Sequence, residues 1–408
     1  MTRFARIQKP WRKWDIAQLR RNLGVYLHIP FCLARCRYCG FLSYGSEAAA
    51  GFRQAAYAAL LKREIRARAA LAQQYYLPGE RVVDTVFLGG GTPTRLALPL
   101  LIELITELKG CFPLARAGIE LSVEANPDTL DDQVLTQLAD IGVNRLSIGV
   151  QATQAHHLRF LGRTYRWRDV QPQLQAVAAG KIPRYSFDLL YGVPHLSLSE
   201  LKESLALVLA LNPTHLSAYE LTIEPNTPYA SFAKRFPQQL AAEPAVIAQQ
   251  QLIERTLQDR GFYRYEVSSY AQPGAECRHN LRYWLGGDYL GLGLGASSRI
   301  NQAVIANPSE FSAYQQLVTE MEQSQDPLQA HLVSNDANPD RVVLAPAADR
   351  FLQLRTRRGS ALDNLCIDAQ WLQRGWVAVA PPQLEVTSQG LAYAEFLARE
   401  LTEATSDL

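Results

Sequence analysis

The chain has 408 residues, which is enough for about two or three domains with sizeable hydrophobic cores. Its 41 Lys and Arg residues nearly balance 39 Asp and Glu residues, so no overall electrostatic field favours nucleic acid or a membrane surface. Six cysteines, no secretory leader and no apolar run near the ~18 residues of a bilayer span favour a reducing, cytoplasmic setting over a disulfide scaffold.

The N-terminal segment, residues 1–23, is a basic arm. It combines seven basic residues with two tryptophans: Arg3, Arg6, Lys9, Trp11, Arg12, Lys13, Trp14, Arg20 and Arg21. Such a composition is most often a solvated lead-in, although basic and aromatic residues together also suit contact with a membrane surface. We therefore predict a cytoplasmic protein, with peripheral attachment to a membrane as the less favoured alternative.

Six short apolar runs alternate with amphipathic segments between residues 24 and 240. The runs are 25–29, 82–88, 119–123, 145–150, 185–190 and 216–221. This alternation predicts βα repeats and a parallel sheet. Polar residues fall at or just after the ends of several runs. Because barrel sites form at the carboxyl ends of strands, the pattern favours a partial (β/α)6 barrel over an open doubly wound sheet.

A cysteine-rich loop follows the first run. Cys32, Cys36 and Cys39 are spaced C-x-x-x-C-x-x-C between Pro30 and Gly40. Three thiolates can hold a four-iron four-sulfur (4Fe-4S) cluster and leave one iron open to another ligand. A zinc site or three unrelated buried cysteines are less favoured, because zinc usually takes two C-x-x-C pairs.

Polar residues at the predicted strand ends have the chemistry to bind a small ligand. The glycine run 89–91 lets the backbone approach a ligand and exposes its N–H groups, which suits an amino-acid carboxylate. Glu124, Gln151 and Asp188 can accept hydrogen bonds from an amine or a ribose, and Arg163 can hold a carboxylate in a bidentate fork. Each alone has an ordinary structural explanation. Their order at successive strand ends is what favours a shared site.

The cysteine motif resembles that of the radical S-adenosylmethionine (radical SAM) superfamily. Its flanks, Tyr-x-His-Ile-Pro-Phe-Cys and Cys-x-Tyr-Cys-x-Phe, are similar to the coproporphyrinogen oxidase branch of that superfamily. The resemblance implies that Cys32, Cys36 and Cys39 ligate the cluster, that SAM chelates the open iron, and that an electron from the cluster cleaves SAM to a 5′-deoxyadenosyl radical. It also implies nine SAM-binding residues: Tyr26, Tyr38, Gly90, Gly91, Thr92, Glu124, Gln151, Arg163 and Asp188.

Two features of the sequence distinguish the oxidases of this branch from the heme chaperones. The oxidases that decarboxylate coproporphyrinogen III carry a further cysteine two residues after the third, where this chain has Phe41. The segment from His279 to Trp284, His-Asn-Leu-Arg-Tyr-Trp, resembles the signature of HemW-type heme chaperones, which bind heme and deliver it to respiratory proteins. Both features favour the chaperone family. An oxygen-independent coproporphyrinogen III oxidase is the alternative, and a nucleic-acid-binding protein is a weaker one.

The resemblance makes His279 the predicted heme ligand. A neutral imidazole is a good axial ligand for heme iron, and Tyr283 and Trp284 offer flat faces to a porphyrin edge. Cys277 is an alternative ligand. Without the resemblance, a lone histidine is more often part of a hydrogen-bonded loop. The glycine run 291–295 is predicted to serve close backbone packing rather than dinucleotide binding.

Two further regions complete the predicted α/β protein. Residues 241–325 extend the radical SAM barrel and contain the His-Asn-x-x-Tyr-Trp motif. Residues 326–408 predict two helices, a hairpin and a final helix, which resembles a small winged-helix-like α+β domain. Arg355, Arg357 and Arg358 form one short basic patch there, which gives little electrostatic support for nucleic-acid binding.

The predicted partners follow from the family resemblance. Heme is expected as cargo, and a respiratory hemoprotein, soluble or membrane-bound, is expected as the client. Nucleic acid is not expected, and the sequence leaves the choice between monomer and dimer open. The resemblance also leaves open whether SAM is cleaved productively, so an enzymatic activity is not assigned.

Overall fold

The structure is a computed structural model that describes residues 9–46, 51–73, 81–116, 118–323, 341–343, 352–361 and 367–403. The strands of these residues are β1 (Leu23–Ile29), β2 (Val83–Gly90), β3 (Glu120–Ala125), β4 (Arg145–Gln151), β5 (Arg184–Tyr191), β6 (His215–Glu220), β7 (Tyr263–Arg264), β8 (Ser269–Ala271), β9 (Tyr289–Leu292), β10 (Ser297–Ile300), β11 (Ala303–Ala306), β12 (Arg341–Val343), β13 (Ser360–Ala361), β14 (Val377–Ala380) and β15 (Gln383–Val386). The helices are α1 (Ile16–Arg21), α2 (Gln54–Leu71), α3 (Leu98–Cys111), α4 (Asp132–Asp140), α5 (Ala155–Leu161), α6 (Trp167–Ala179), α7 (Leu198–Leu209), α8 (Pro228–Arg235), α9 (Glu243–Gln258), α10 (Arg278–Trp284), α11 (Phe311–Gln323), α12 (Ala369–Gln373) and α13 (Ala394–Glu403).

A sheet of twelve strands forms the body of the protein, in the order β12-β11-β10-β9-β1-β2-β3-β4-β5-β6-β8-β7. Strands β1 to β6 lie in chain order, and each is parallel to its neighbour. β9 adds a parallel strand beside β1, and the strands beyond it on that edge and on the other edge are antiparallel. In the described ranges the two edge strands do not pair with each other, so the predicted partial barrel of six βα units is confirmed.

Strand β1 shows why these apolar runs form a sheet that is buried on both faces. Its residues at alternate positions are fully buried in the main core: Leu23, Val25, Leu27 and Ile29. Between them, Tyr26 and His28 face a cavity inside the barrel. One face of this strand packs against helices and the other lines the barrel. Its polar side chains, which could contact a ligand, are therefore on the face that lines the barrel.

A second, smaller core belongs to the C-terminal part of the chain. Strands β13, β15 and β14 form a three-stranded antiparallel sheet, and α12 and α13 accompany it. The buried residues of this core are Leu354, Trp371, Trp376, Val377, Leu384, Val386, Leu391, Leu397 and Ala398. The predicted hairpin and the two helices that flank it are present. The helix that the sequence predicts near residues 347–355 lies mostly outside the described residues.

The described part of the basic arm packs against this C-terminal part. Trp11 is 2% exposed, and the guanidinium carbon of Arg357 lies 4.4 Å from the centre of its ring. Lys9 and Arg12 each donate to the carboxylate of Glu385 at 2.6 Å. The arm is thus attached to the C-terminal part through Trp11, Lys9 and Arg12 rather than being a fully solvated lead-in. Among the described helices, none combines the length and the apolar character needed to cross a membrane.

Candidate functional site

The loop that carries the three cysteines connects β1 with α2 and is anchored by backbone hydrogen bonds. The Cys32 N–H donates to the carbonyl of Tyr44 at 2.9 Å, which closes the loop. At its middle, the Arg37 N–H donates to the carbonyl of Leu161 at 3.1 Å, and the Arg37 carbonyl accepts from the Tyr229 N–H at 2.8 Å. These contacts attach the loop to the end of α5 and to the start of α8.

The thiols of this loop are partly buried. Burial raises the pKa of Cys32 and of Cys39, so their protons leave when a metal centre binds. Over the described ranges, the loop sulfurs are not among the metal-ligating atoms that converge to within 4.8 Å of one another. A donor set made only of thiols is the kind that iron–sulfur centres use.

A chain of hydrogen bonds joins three of the predicted SAM residues beside this loop. The Arg163 guanidinium donates to the Tyr38 hydroxyl at 3.1 Å and to the Asn126 side-chain oxygen at 2.7 Å. The Asn126 amide donates to the Thr92 hydroxyl at 3.1 Å, and that hydroxyl lies 3.8 Å from the Cys32 sulfur. Sequence analysis did not select Asn126. Its position directly after β3 was the available signal.

Gln151 belongs to the same group. Its backbone is in the left-handed region, with φ of 69°. A Cβ on Gly149 would lie 2.9 Å from the Gln151 amide nitrogen, 3.2 Å from the Asn126 oxygen and 3.3 Å from an Arg163 nitrogen. The structure therefore brings the polar ends of Gln151, Asn126 and Arg163 together beside Gly149 of β4, where a larger residue would require them to shift.

The glycine run after β2 packs on the cysteine loop, and its N–H groups already have partners. Gly90 has φ of 114° and donates its N–H to the Glu124 carboxyl at 3.1 Å. The N–H groups of Gly91 and Thr92 donate to carbonyls of β1 and of the cysteine loop, at 2.9 and 2.8 Å. The prediction that this run exposes free N–H groups to a ligand is therefore corrected: its glycines allow close packing of backbones.

Two of the predicted SAM residues, Glu124 and Asp188, are partly buried carboxyl groups inside the barrel. Burial and the neighbouring Asp188 raise the pKa of Glu124 to about 8, against the effect of the hydrogen bond from Gly90. Burial raises the pKa of Asp188 to about 6, although the hydroxyl groups of Ser217 and Ser147 stabilise its charge. At pH 7 most of Glu124 is protonated and most of Asp188 is ionised. A cationic ligand beside Glu124 would favour loss of its proton.

A cavity of about 560 Å³ occupies the barrel interior, a size that is typical of small-molecule sites. Residues 40–42, which follow the last cysteine of the loop, form part of its wall, and Phe41 among them is 71% exposed. Glu124 also lines it. Five aromatic side chains contribute flat faces: Tyr26, Phe87, Tyr219, Tyr283 and Tyr289. The cavity therefore extends from the cysteine loop into an aromatic interior.

Helix α10, which contains the His-Asn-x-x-Tyr-Trp motif, closes the other end of the barrel. The buried carboxylate of Glu120, the first residue of β3, accepts hydrogen bonds from two amides at the start of α10, at 3.0 and 3.1 Å. The buried guanidinium of Arg282 pairs with Asp84 near the start of β2. These anchors turn Asn280 and Tyr283 of the motif toward the cavity, which they both line.

His279, the predicted heme ligand, is fully buried, and both of its ring nitrogens have partners. Nδ1 lies 3.0 Å from the Thr85 hydroxyl, and Nε2 lies 2.7 Å from the Tyr283 hydroxyl. Its ring stacks on Phe87, with 5.3 Å between ring centres. His279 is not among the described residues that line the cavity. Heme ligation by His279 stays a prediction, and it requires Tyr283 to release Nε2.

Two other histidines and one cysteine do line the cavity: His28, His215 and Cys277. Each ring nitrogen of His28 and of His215 makes a hydrogen bond of 2.8 to 3.0 Å. Burial, with a smaller contribution from the nearby Glu120, raises the pKa of Cys277 to about 12. Sequence analysis selected only Cys277 of these three, because the two histidines are at strand positions whose direction a sequence does not reveal.

Comparison with known proteins places this geometry in a family. Residues 26–208 match the model of the radical SAM superfamily. The chain is 36% identical to the heme chaperone HemW of Escherichia coli over 68% of this chain and 70% of that protein. It is 35% identical to the heme chaperone HemW of Synechocystis, over 72% and 70% of the two chains. The chain belongs to the HemW family.

Further comparisons agree with this family and with the fold. The heme chaperone HemW of Bacillus subtilis is 31% identical to the chain over 73% of this chain and 76% of that protein. Among solved structures, coproporphyrinogen III oxidase (HemN) from Escherichia coli, a radical SAM enzyme, has a TM-score of 0.73 at 24% identity, covering 95% and 92% of the two chains. HemW and HemN proteins therefore share this fold, and the family predicted from the sequence is confirmed.

Proposed function

We propose that this chain is a heme chaperone that holds a 4Fe-4S cluster and SAM, binds heme and transfers it to a respiratory hemoprotein. The observation that carries the proposal is the aromatic cavity of about 560 Å³ that begins at the cysteine loop. A porphyrin is flat and apolar with charged substituents, which suits a cavity with aromatic faces and a few polar groups. Membership of the HemW family supports the proposal, since the relatives compared above are named heme chaperones.

Cys32, Cys36 and Cys39 are proposed to hold the cluster. A set of donors made only of thiolates suits iron–sulfur centres, and the anchored loop keeps the three cysteines in one place. When bound, the cluster and SAM would supply one-electron chemistry at this end of the barrel. The protein's own part is to hold the loop through Tyr44 and Leu161 and to keep polar side chains beside it.

The SAM-binding set is proposed as the sequence predicted it: Tyr26, Tyr38, Gly90, Gly91, Thr92, Glu124, Gln151, Arg163 and Asp188. Arg163 supports this assignment because its Nε atom is buried and has no hydrogen-bond partner among the described residues. Tyr38 and Asn126 hold the guanidinium in place, so its remaining donor capacity is oriented before a carboxylate arrives. Glu124 offers a partly buried acceptor for an ammonium group on the same side of the barrel.

Phe41 is the residue that distinguishes this proposal from the oxidase alternative. A cysteine at this position could donate a proton or an electron pair, whereas a phenylalanine ring offers only apolar surface. The ring is 71% exposed beside the cavity, and a large exposed apolar side chain at a binding site gains free energy when a ligand covers it. We propose that one face of the porphyrin covers Phe41.

The respiratory hemoprotein client is proposed on the basis of the family alone. A client would approach the side of the cavity that residues 40–42 form, because Phe41 is exposed there. Lys9 and Arg12 of the basic arm are bound to Glu385. We therefore expect contact with a membrane-bound client to come from the cysteine-loop side rather than from this part of the arm.

An anaerobic heme titration of the cluster-loaded chain tests the proposal, with coproporphyrinogen III, SAM and a reductant in a parallel assay. We expect one heme per chain and no protoporphyrinogen. Phe41→Ala should weaken heme binding by about tenfold with unchanged cluster absorbance, which corresponds to about 1.4 kcal/mol. Leu198→Ala, at a 47% exposed position on α7, is the matched control and should bind heme as the parent chain does. Conversion of coproporphyrinogen without tight heme binding would favour the oxidase instead.

A further inference from the structure

A second group of metal-ligating side chains lies outside the barrel site, where α5 meets α7. His156 and His157 are in the first turn of α5, and Glu200 is in the first turn of α7. Their ligand atoms all lie within 4.8 Å of one another. We propose that His156, His157 and Glu200 bind a zinc ion that joins the two helices.

The separations of the ligand atoms fit this ion. Nε2 of His156 lies 3.1 Å from one carboxylate oxygen of Glu200, and Nε2 of His157 lies 3.6 Å from the other. Tetrahedral zinc with bonds of about 2.0–2.1 Å to nitrogen and oxygen places neighbouring ligand atoms about 3.4 Å apart. The two observed separations, each to a different carboxylate oxygen, are both close to that value. Two imidazoles and one carboxylate are a known zinc set, with water as the fourth ligand.

His157 separates this group from an ordinary surface ion pair. Its side chain is 2% exposed, and its buried Nε2 atom, 3.6 Å from a Glu200 oxygen, makes no hydrogen bond with any described residue. A buried polar atom without a partner is unfavourable, and a metal ion would satisfy it.

Glu200 is held in a conformation that suits a ligand. The hydroxyl and the N–H of Ser197 donate to the same carboxylate oxygen, at 2.6 and 3.0 Å, and complete the capping box of α7. Outer contacts of this kind orient a metal ligand and are themselves important for affinity. The His156 side chain is 55% exposed, so an ion and its water can reach the site from solvent.

The position of the site indicates a structural role. The carbonyl of Leu161, the last residue of α5, accepts the 3.1 Å hydrogen bond from Arg37 in the cysteine loop. A Cβ on the next residue, Gly162, would lie 3.7 Å from the Cα of Cys36. The first turn of α5 would therefore be fixed by zinc, while its last residue supports the cysteine loop.

Zinc titration of the full-length chain against a chromophoric chelator tests the proposal. The chain is loaded with its cluster first, so that the cysteines of the loop are occupied. We expect one zinc per chain, with X-ray absorption showing nitrogen and oxygen ligands at about 2.0–2.1 Å. His156→Ala and Glu200→Gln should each weaken zinc binding by at least about 100-fold. His156→Ala changes an exposed residue, so its loss of zinc cannot be attributed to misfolding.

Ser197→Ala is the matched control, because it removes the contact that orients Glu200 and leaves all three ligands in place. It should weaken zinc binding by only about tenfold. The proposal is overturned if the parent chain binds no zinc, if His156→Ala and Glu200→Gln retain parental affinity, or if X-ray absorption shows sulfur ligands at about 2.3 Å. Iron content, measured in parallel, should be the same in all of these variants.

Discussion

Arg163 donates a hydrogen bond of 3.1 Å to the hydroxyl group of Tyr38, which lies between the second and third cysteines of the loop. A second hydrogen bond, of 2.7 Å, joins the same guanidinium to Asn126 at the end of β3. The planar guanidinium group of Arg163 thus connects the cysteine loop with the end of β3 through two hydrogen bonds. Changes at Arg163 are therefore expected to weaken the SAM binding proposed beside the loop without removing any thiol.

Replacing Arg163 with Lys should show whether SAM affinity depends on the positive charge of this residue or on the geometry of its guanidinium group. Lysine keeps the positive charge but cannot reach two acceptors in a fixed fork. We expect SAM affinity of the cluster-loaded chain to fall by about 10- to 100-fold, or about 1.4–2.8 kcal/mol, with unchanged cluster absorbance. Calorimetric titration with SAM measures this. Tyr38→Phe, which removes one acceptor and keeps Asn126, should have a smaller effect, and unchanged SAM affinity in Arg163→Lys would remove this residue from the SAM site.

The cluster assignment is tested by Cys36→Ala. With two thiolates left on the loop, we expect iron content and the charge-transfer absorbance to fall to background after anaerobic reconstitution. Cys111→Ala is the matched control, because the Cys111 sulfur contacts Glu107 at the end of α3 and belongs to no loop motif. The control should contain as much iron as the parent chain. A cluster of normal absorbance in Cys36→Ala would contradict the assignment.

The fold could be predicted from the sequence because its signals are local. Each strand of the barrel is a short apolar run, and each helix has an apolar stripe, so the order of elements can be read along the chain. The cysteine spacing is local as well. The pairing of β9 with β1, which extends the sheet, could not be predicted, because it joins segments that are far apart in the sequence.

The site was predicted less completely, for a related reason. The sequence selected Glu124 and Asp188 as candidates, and the structure places Glu124 next to the last residue of β3 and Asp188 in the middle of β5. The hydrogen-bond partners that decide what a side chain can do come from other strands, as Asn126 does for Arg163. His279 shows the same limit: the sequence contains the histidine, whereas the hydroxyl of Tyr283 on its Nε2 is visible only in three dimensions.

Glu124 should make the stability of the cluster-free chain depend on pH. Its pKa is about 8 in the folded chain and near 4.5 as an ordinary carboxyl group, so the folded state holds the proton more tightly. This group therefore stabilises the fold fully below about pH 4.5, and its contribution is lost as the pH rises through about 8. Asp188, with a pKa of about 6, acts in the same direction over a lower range.

Glu124→Gln tests this dependence, because its amide oxygen can still accept the hydrogen bond from Gly90. We expect urea unfolding to show that the parent chain loses about 2–3 kcal/mol relative to the variant between about pH 5.5 and pH 8.5. Parallel curves for the two chains over this range would mean that Glu124 is ionised in the folded protein at neutral pH.

Tyr283→Phe offers a direct test of His279 as the heme ligand. The Tyr283 hydroxyl lies 2.7 Å from Nε2 of His279, and its removal leaves that nitrogen free while an aromatic ring of the same shape stays in the cavity wall. If His279 binds heme iron, the variant no longer has to break this hydrogen bond, which is worth about 0.5–1.5 kcal/mol. We then expect heme affinity to rise by about two- to tenfold in a titration followed at the Soret band.

His279→Ala should weaken heme binding, and free imidazole should restore the Soret band of that variant. Unchanged heme affinity in both variants would exclude His279, and loss of heme in Cys277→Ser would then assign the ligand to the thiol that lines the same cavity.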